Sequence, residues 1–184
     1  MLLATRHSPL ANLLKQEASS QKREARSEKQ KNMETEKLKE RVVSLVPEAQ
    51  LEENKQFATF VIPAEKIHSL IETLKNSADT AFDYLFCLTG VDLGKELAVV
   101  YHLNSTLNKH DIVLKVKTAD RENPVVETIT DLYKAADFHE REVYDLLGIR
   151  FRNHPDMRRI FLDENWIGHP LRKDYIDEIN IVEL

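Results

Sequence analysis

The chain has 184 residues, 42% apolar and 31% charged, the proportions of a globular protein long enough to bury a core. Its longest apolar runs are far too short to cross a bilayer. A single cysteine, Cys87, fits a reducing compartment and excludes an internal disulfide framework, an iron–sulfur cluster or a Cys-rich zinc site held by this chain alone. The formal net charge of −5 conceals an asymmetry. Residues 1–32 carry seven Lys/Arg against three Glu, while the remainder carries 19 basic against 28 acidic side chains, a balance that argues against a nucleic-acid binder.

Residues 1–34 are expected to form an N-terminal extension, disordered or weakly helical, because the run SSQKREARSEKQKN has no apolar periodicity. The apolar start is broken at once by Arg6, against a secretory signal peptide, and Glu17, Glu24 and Glu28 count against a mitochondrial transit peptide. Met33 stands directly before a charged amphipathic segment, and a natural start at Met33, with residues 1–32 a start-site artefact, stays open as the alternative.

From there to residue 148 the pattern is that of an α+β domain. Leu38, Val42, Leu45 and Val46 share a helical stripe over 35–46, which Pro47 stops. A strand at 56–62 is followed by Pro63 near the first turn of a helix, on which Ile67, Leu70, Ile71 and Leu74 recur at helical spacing. Three strands come next. Residues 84–91 read as covered on both faces, whereas 97–103 and 111–117 alternate, with Asp92, Gly94 and Lys95 turning the chain between the first two. Consecutive strands with short links favour antiparallel pairing, giving a small, mostly antiparallel sheet with packed helices. Two further helices are expected, at 127–136 (Ile129, Leu132, Tyr133 and Ala136 inward) and at 138–147, the second ended by Gly148.

Beyond Gly148 the periodicity ceases, and residues 149–184 read as a long extended arm bent at two His-Pro steps. His139, His154 and His169 lie fifteen residues apart, yet HEREV places Val143 where a zinc-protease helix needs its second histidine. A three-His metal site stays open beside the plainer reading, histidines that hydrogen-bond backbone at bends. Glu140 and Glu142 point to different sides of their helix and cannot act as an acid/base pair. Arg141 and Asp145 are set to pair on its outside, and a half-buried Glu142 would need Arg150, Arg152, Arg158 or Arg159 folded back upon it. No dinucleotide fingerprint, phosphate loop or nucleophile triad is present in the sequence. Mixed charges around Phe151, Ile160, Phe161, Leu162 and Trp166 suit a protein interface, since such patches combine aromatic and arginine anchors.

The segments EREVYDLLGIRF (140–151), HPDMRRIFL (154–162) and WIGHPLRKDY (166–175) resemble the signature blocks of the C subunit of bacterial NADH–quinone oxidoreductase, respiratory complex I. The same family includes the mitochondrial 30 kDa subunit. LTGVD (88–92), YHLNST (101–106) and RENPVVETI (121–129) extend the similarity over roughly residues 37–175. Tyr133 and Phe138 depart from it, standing where tryptophans are expected, and the short ending after Tyr175 resembles the bacterial members.

The resemblance implies a non-redox, non-catalytic subunit of the peripheral arm, at the cytoplasmic face of the bacterial inner membrane, with indirect membrane contact. Flavin mononucleotide, iron–sulfur clusters and quinone would sit on other subunits, and no cofactor or metal on this one. Its partners would be chiefly the D subunit, which forms the quinone site, and the cluster-bearing B subunit. The matching positions expected to bind them are Glu140, Arg141, Glu142, Arg150, Phe151, His154, Pro155, Asp156, Arg158 and Arg159, then Trp166, His169, Pro170, Arg172, Lys173, Asp174 and Tyr175. The equivalent subunit of a membrane-bound hydrogenase-type complex is the alternative, and a free-standing His-metal hydrolase a more distant one.

Overall fold

The computed structural model describes residues 35–52, 54 and 56–177. It divides into two units, 1–38 and 39–184. Within the first, the described residues are one helical turn. The expectation for residues 1–34 lies outside the described residues, as do the last seven residues of the arm.

Helical residues 35–45 (α1) stop ahead of Pro47, with Val42 and Val46 buried. Two strands follow, β1 (Gln50–Glu52) and β2 (Ala58–Ile62), whose Phe60 and Ile62 point into the core. Pro63, with φ −58°, opens a single 3-10 turn that runs into α2 (Ile67–Asn76). All four residues of the expected stripe, Ile67, Leu70, Ile71 and Leu74, are buried.

Three long strands complete the sheet: β3 (Tyr84–Asp92), β4 (Leu97–Ser105) and β5 (His110–Thr118). Their order with the first two is β1-β2-β5-β4-β3. Pairing is antiparallel except between β2 and β5, which run parallel. The fold is thus α+β with a mixed, mostly antiparallel sheet.

Coverage of the strands differs from expectation. β3 lies at the sheet edge, so Tyr84, Phe86 and Val91 on one side are exposed. The strand buried on both faces is β4, second from that edge, where Leu97 to Tyr101 are all buried.

The helix expected at 127–136 does not form. Val125–Glu127 is instead a short strand, β6, paired in parallel with β7 (Arg150–Arg152). Only Glu127 of the expected span joins that strand, and residues 128–135 are turns and irregular backbone. Three of the four stripe residues are still buried, because turns over 129–135 deliver Ile129, Tyr133 and Ala136 to the core, whereas Leu132 is half-buried. One helix, α3 (Ala136–Leu147), then runs to Gly148, whose φ of 77° makes the left-handed stop. α3 packs on β3 at Gly90. A side chain there would begin 2.4 Å from a Leu147 methyl, so only glycine allows this approach.

Candidate protein-interaction site: the third helix and the arm

α3 carries three buried charged side chains, Glu140, Arg141 and Asp145. Glu140 follows Ala136 by four residues and precedes Val143 and Leu147 by three and seven, so it lies on the stripe that faces the sheet. This corrects the expectation that Glu142 would be the half-buried carboxylate: Glu142 is exposed. Glu140 accepts hydrogen bonds from Thr128 Oγ1 at 2.5 Å and the Ile129 N–H at 2.8 Å. Burial pushes its carboxyl up to about 7; these bonds oppose the shift, and the charges of Asp131 and Asp137 reinforce it.

Nor do Arg141 and Asp145 pair on the outside. Arg141 turns to the arm, donating to the carbonyls of Arg158 and Arg159 at 3.2 and 3.4 Å. Asp145 is fully buried and organises the arm around itself. One oxygen accepts three successive backbone N–H groups, from Ile160, Phe161 and Leu162, at 2.8–3.0 Å. The other meets Arg159 Nη1 at 2.7 Å. Burial alone would raise this carboxyl, but the backbone N–H groups and Arg159 outweigh it and hold the carboxyl below its ordinary value. Arg159 also donates to the carbonyls of Trp166 and Gly168 at 3.1 and 3.0 Å, closing 160–168 into a loop.

The two His-Pro steps have separate anchors. His154 has a fully buried side chain, and its Nδ1 accepts the Asp156 N–H at 3.0 Å. His169 donates from Nδ1 to the Asp145 carbonyl at 2.9 Å, and burial is the chief reason its imidazole lies below its usual range. Both therefore bind backbone at bends, the plainer of the two readings. His139 joins neither, and among the described residues no three His, Cys, Asp or Glu form a potential metal site.

A second clamp fixes the far end of the arm. Asp92, at the end of β3, pairs with both terminal nitrogens of Arg121 at 2.7 and 2.8 Å and accepts the Lys173 N–H at 2.8 Å. The hydrogen bond from Arg121 is the main reason its carboxyl lies well below the ordinary range. Arg121 also meets Asp174 at 3.0 Å, and Arg172 donates to the Arg121 carbonyl at 2.7 Å. Three sequence blocks that looked separate, LTGVD, RENP and LRKDY, thus join at one carboxylate. Asp92 and Arg121 were missed as site residues because charge pairs so distant in sequence leave no local pattern.

What remains outside is apolar and aromatic. Phe138 (65% exposed), Phe161 (65%), Ile167 (88%) and Leu171 (60%) stand in solvent, with Trp166 partly so. A groove of about 590 Å³ runs between α3 and the loop, lined by Phe138, Glu142, Arg158, Ile160, Phe161 and Glu164, with Arg141 and Arg159 beneath. Of the expected contact residues, Glu142, Arg150, Pro155, Arg158, Trp166, Lys173 and Asp174 are exposed. Phe151, Glu140 and Arg141 are buried, while His154, Asp156, Arg159, His169, Pro170, Arg172 and Tyr175 are partly covered. Ile167 and Leu171 were absent from that set; their only sequence signal is that they flank Gly-His-Pro.

The family model for the respiratory-chain NADH dehydrogenase, 30 Kd subunit, matches residues 60–178. The chain belongs to that family. Among its relatives, the C/D subunit of the NADH-quinone oxidoreductase of Phocaeicola vulgatus is 51% identical over 120 residues, which cover 65% of this chain and 23% of that protein. The C subunit of the Moorella thermoacetica enzyme is 38% identical over 71% of this chain and 88% of its own length. The chain spans less than a quarter of the length of the C/D relatives. A chain of the membrane-bound sulfane sulfur reductase, an archaeal respiratory membrane complex, shares the fold with a TM-score of 0.65 and 27% identity, over 78% of this chain and 86% of that one. The family membership inferred from the signature blocks is borne out.

Proposed function

We propose that this chain is a non-redox subunit of the peripheral arm of a proton-translocating NADH:quinone oxidoreductase, and that it works by holding its neighbours in place. The carrying observation is the division of labour in α3 and the arm. Charged groups brace the arm internally, while Phe138 and Phe161 are left exposed in a groove with polar edges, and Ile167 and Leu171 stand exposed further along the arm. Aromatic and aliphatic anchors of this kind, ringed by Glu142, Arg158 and Glu164, have the chemistry of a protein interface. In this reading the partners are the D and B subunits, and the chain contributes to electron transfer from NADH to quinone without a cofactor of its own. Flavin, iron–sulfur clusters and quinone sit on other subunits of the complex, and attachment to the cytoplasmic face of the membrane is through neighbouring subunits. Among the described residues no helix is long and apolar enough to cross a membrane. The paired substitution Phe161→Ser/Ile167→Ser tests the assignment. It should leave the isolated chain's thermal unfolding unchanged within about 0.5 kcal/mol and abolish co-purification with neighbouring subunits. Undiminished co-purification would exclude this surface.

A second reading has its own support, the shared fold with a chain of the sulfane sulfur reductase complex. In it the chain occupies the equivalent position in a hydrogenase-type or related complex whose electron donor is not NADH. The composition of the co-purified assembly separates the two: flavin- and NADH-binding subunits support the first, a nickel-site subunit or a sulfur-reducing partner the second.

A further inference from the structure

The start of the arm is held to the domain through Glu140, a buried carboxyl paired with neither lysine nor arginine among the described residues. Thr128 is the link. It donates its N–H to the Arg152 carbonyl at 3.1 Å, extending the pairing of β6 with β7, while its hydroxyl lies 2.5 Å from Glu140 Oε2. Ile129, next along, donates its N–H to the other carboxyl oxygen.

The ionisable groups facing this carboxyl come from four elements. From β4 comes Tyr101, whose buried hydroxyl has no hydrogen-bond partner among the described residues. From the turns after β6 comes Asp131, itself bonded to His68 on α2 at 2.8 Å. From α3 comes Asp137, one of whose carboxylate oxygens is buried without a hydrogen bond. From the arm comes His154, with Nε2 4.0 Å from Glu140 and 3.5 Å from Asp137. Among the described residues, neither lysine nor arginine forms an ion pair with Glu140.

His154 is the one group able to supply a positive charge, and its geometry opposes it. Nδ1 accepts the Asp156 N–H, so the neutral ring carries its hydrogen on Nε2, directed toward the Asp137 carbonyl at 3.3 Å. A second proton would have to go on Nδ1 and break the bond to Asp156. A proton on Glu140 costs no existing bond. The carboxylic acid donates from Oε2 to Thr128 Oγ1, and that hydroxyl turns its own hydrogen to Thr130 Oγ1 at 3.0 Å. The Ile129 N–H continues to reach the carbonyl oxygen.

We propose that Glu140, with Thr128 and His154, forms a proton-dependent latch that fastens the first segment of the arm, residues 150–156, to the domain when the carboxyl is protonated and loosens it when the proton leaves. An anion there would be buried beside two other carboxylates, and its desolvation is relieved most readily by separating β6 and β7 from α3 and admitting water. This latch concerns the chain's own arm and does not rest on the proposed function.

Amide hydrogen exchange of the full chain between pH 5 and 8.5, corrected for the intrinsic pH dependence of exchange, reads the latch directly. The amides of Thr128, Ile129 and residues 150–156 should lose protection by roughly 10- to 100-fold as pH rises through neutrality, while β4 and β5 stay constant. In Glu140→Gln, which keeps an acceptor for Ile129 and cannot ionise, that loss should vanish. Equal pH dependence in the two proteins, or flat protection in the unmodified chain, would overturn the proposal. Should Glu140→Gln fail to fold, carboxyl carbon NMR of the unmodified chain decides it: titration of Glu140 near neutrality supports the latch, and titration in the ordinary carboxylate range refutes it.

Discussion

Asp145 Oδ1 and Arg159 Nη1 lie 2.7 Å apart, the carboxylate fully buried and the guanidinium nearly so. Around this pair three backbone N–H groups converge on the other oxygen, and two carbonyls from across the loop converge on the guanidinium. A buried pair so completely hydrogen-bonded fixes one arrangement of the loop, because removing either partner strands the other.

Arg158 and Arg159 are neighbours with separate duties, and single substitutions should reveal it. Arg159→Ala strands the buried Asp145 and should cost about 3 kcal/mol, lowering the melting temperature by roughly 6–12 °C at this size. Arg158 is exposed and pairs with the half-exposed Asp156 on its own segment, so Arg158→Ala should leave the melt within about 0.5 kcal/mol. Thermal unfolding of both variants checks this, and equal effects would count against it.

Asp145 contributes to the acid limb of stability, together with Asp92 and Asp174, whose carboxyls arginines also hold low. Its folded-state carboxyl is held below the ordinary value, so the stabilisation is present above the unfolded range and lost as pH falls through the folded value. Glu140, raised to about 7, has the opposite sign: its contribution is full below the unfolded range and declines as pH climbs toward 7. Denaturant unfolding from pH 2 to 8 should therefore give a maximum in the mildly acidic range. Asp145→Asn should make the acid limb shallower, leaving the part due to Asp92 and Asp174, and keep the slope between pH 5 and 7 in place.

Gly148 couples the end of α3 to the arm. Its φ of 77° disfavours any side chain, and a Cβ there would stand 2.6–2.7 Å from the His169 ring. Gly148→Ala should cost about 2 kcal/mol and displace His169 from the Asp145 carbonyl. Losing the Asp145 bond lowers the His169 imidazole, but the larger effect is the loss of the burial that chiefly holds it below its usual range, so the ring should titrate higher, which proton NMR would register.

The domain was legible where contacts are local. Ile67, Leu70, Ile71 and Leu74 declared their helix by spacing alone, and β5 declared its inward face, Ile112, Leu114 and Val116, by alternation. The sequence misled where distant partners decide. Val125–Glu127 became a strand because Arg150–Arg152 lies beside it. Glu140 was expected at a partner surface and not in the core, because a carboxylate seems out of place on a core stripe, though Ala136, Val143 and Leu147 mark that stripe. The arm's character as an irregular, charged, aromatic segment was plain from its prolines and lost periodicity. That its charges face inward, to Asp145 and Asp92, became visible only with the fold.

Asp92 should hold the far end of the arm independently of Asp145. Asp92→Asn removes a charge from the Arg121 pair and weakens the Lys173 bond, so residues 169–175 should exchange amide hydrogens at least tenfold faster. Residues 158–162, held by Asp145, should be unaffected. A uniform loss of protection along the arm would mean that the two clamps are one cooperative unit.

The most direct measurement is the native mass and composition of the assembly that carries this chain, purified gently from cells through a tag on the chain. Our account expects a large membrane-attached assembly containing the other subunits of an NADH:quinone oxidoreductase, lost when Phe161 and Ile167 are both replaced by serine. A monomer of about 21 kDa, with those exposed side chains contacting nothing, would contradict it.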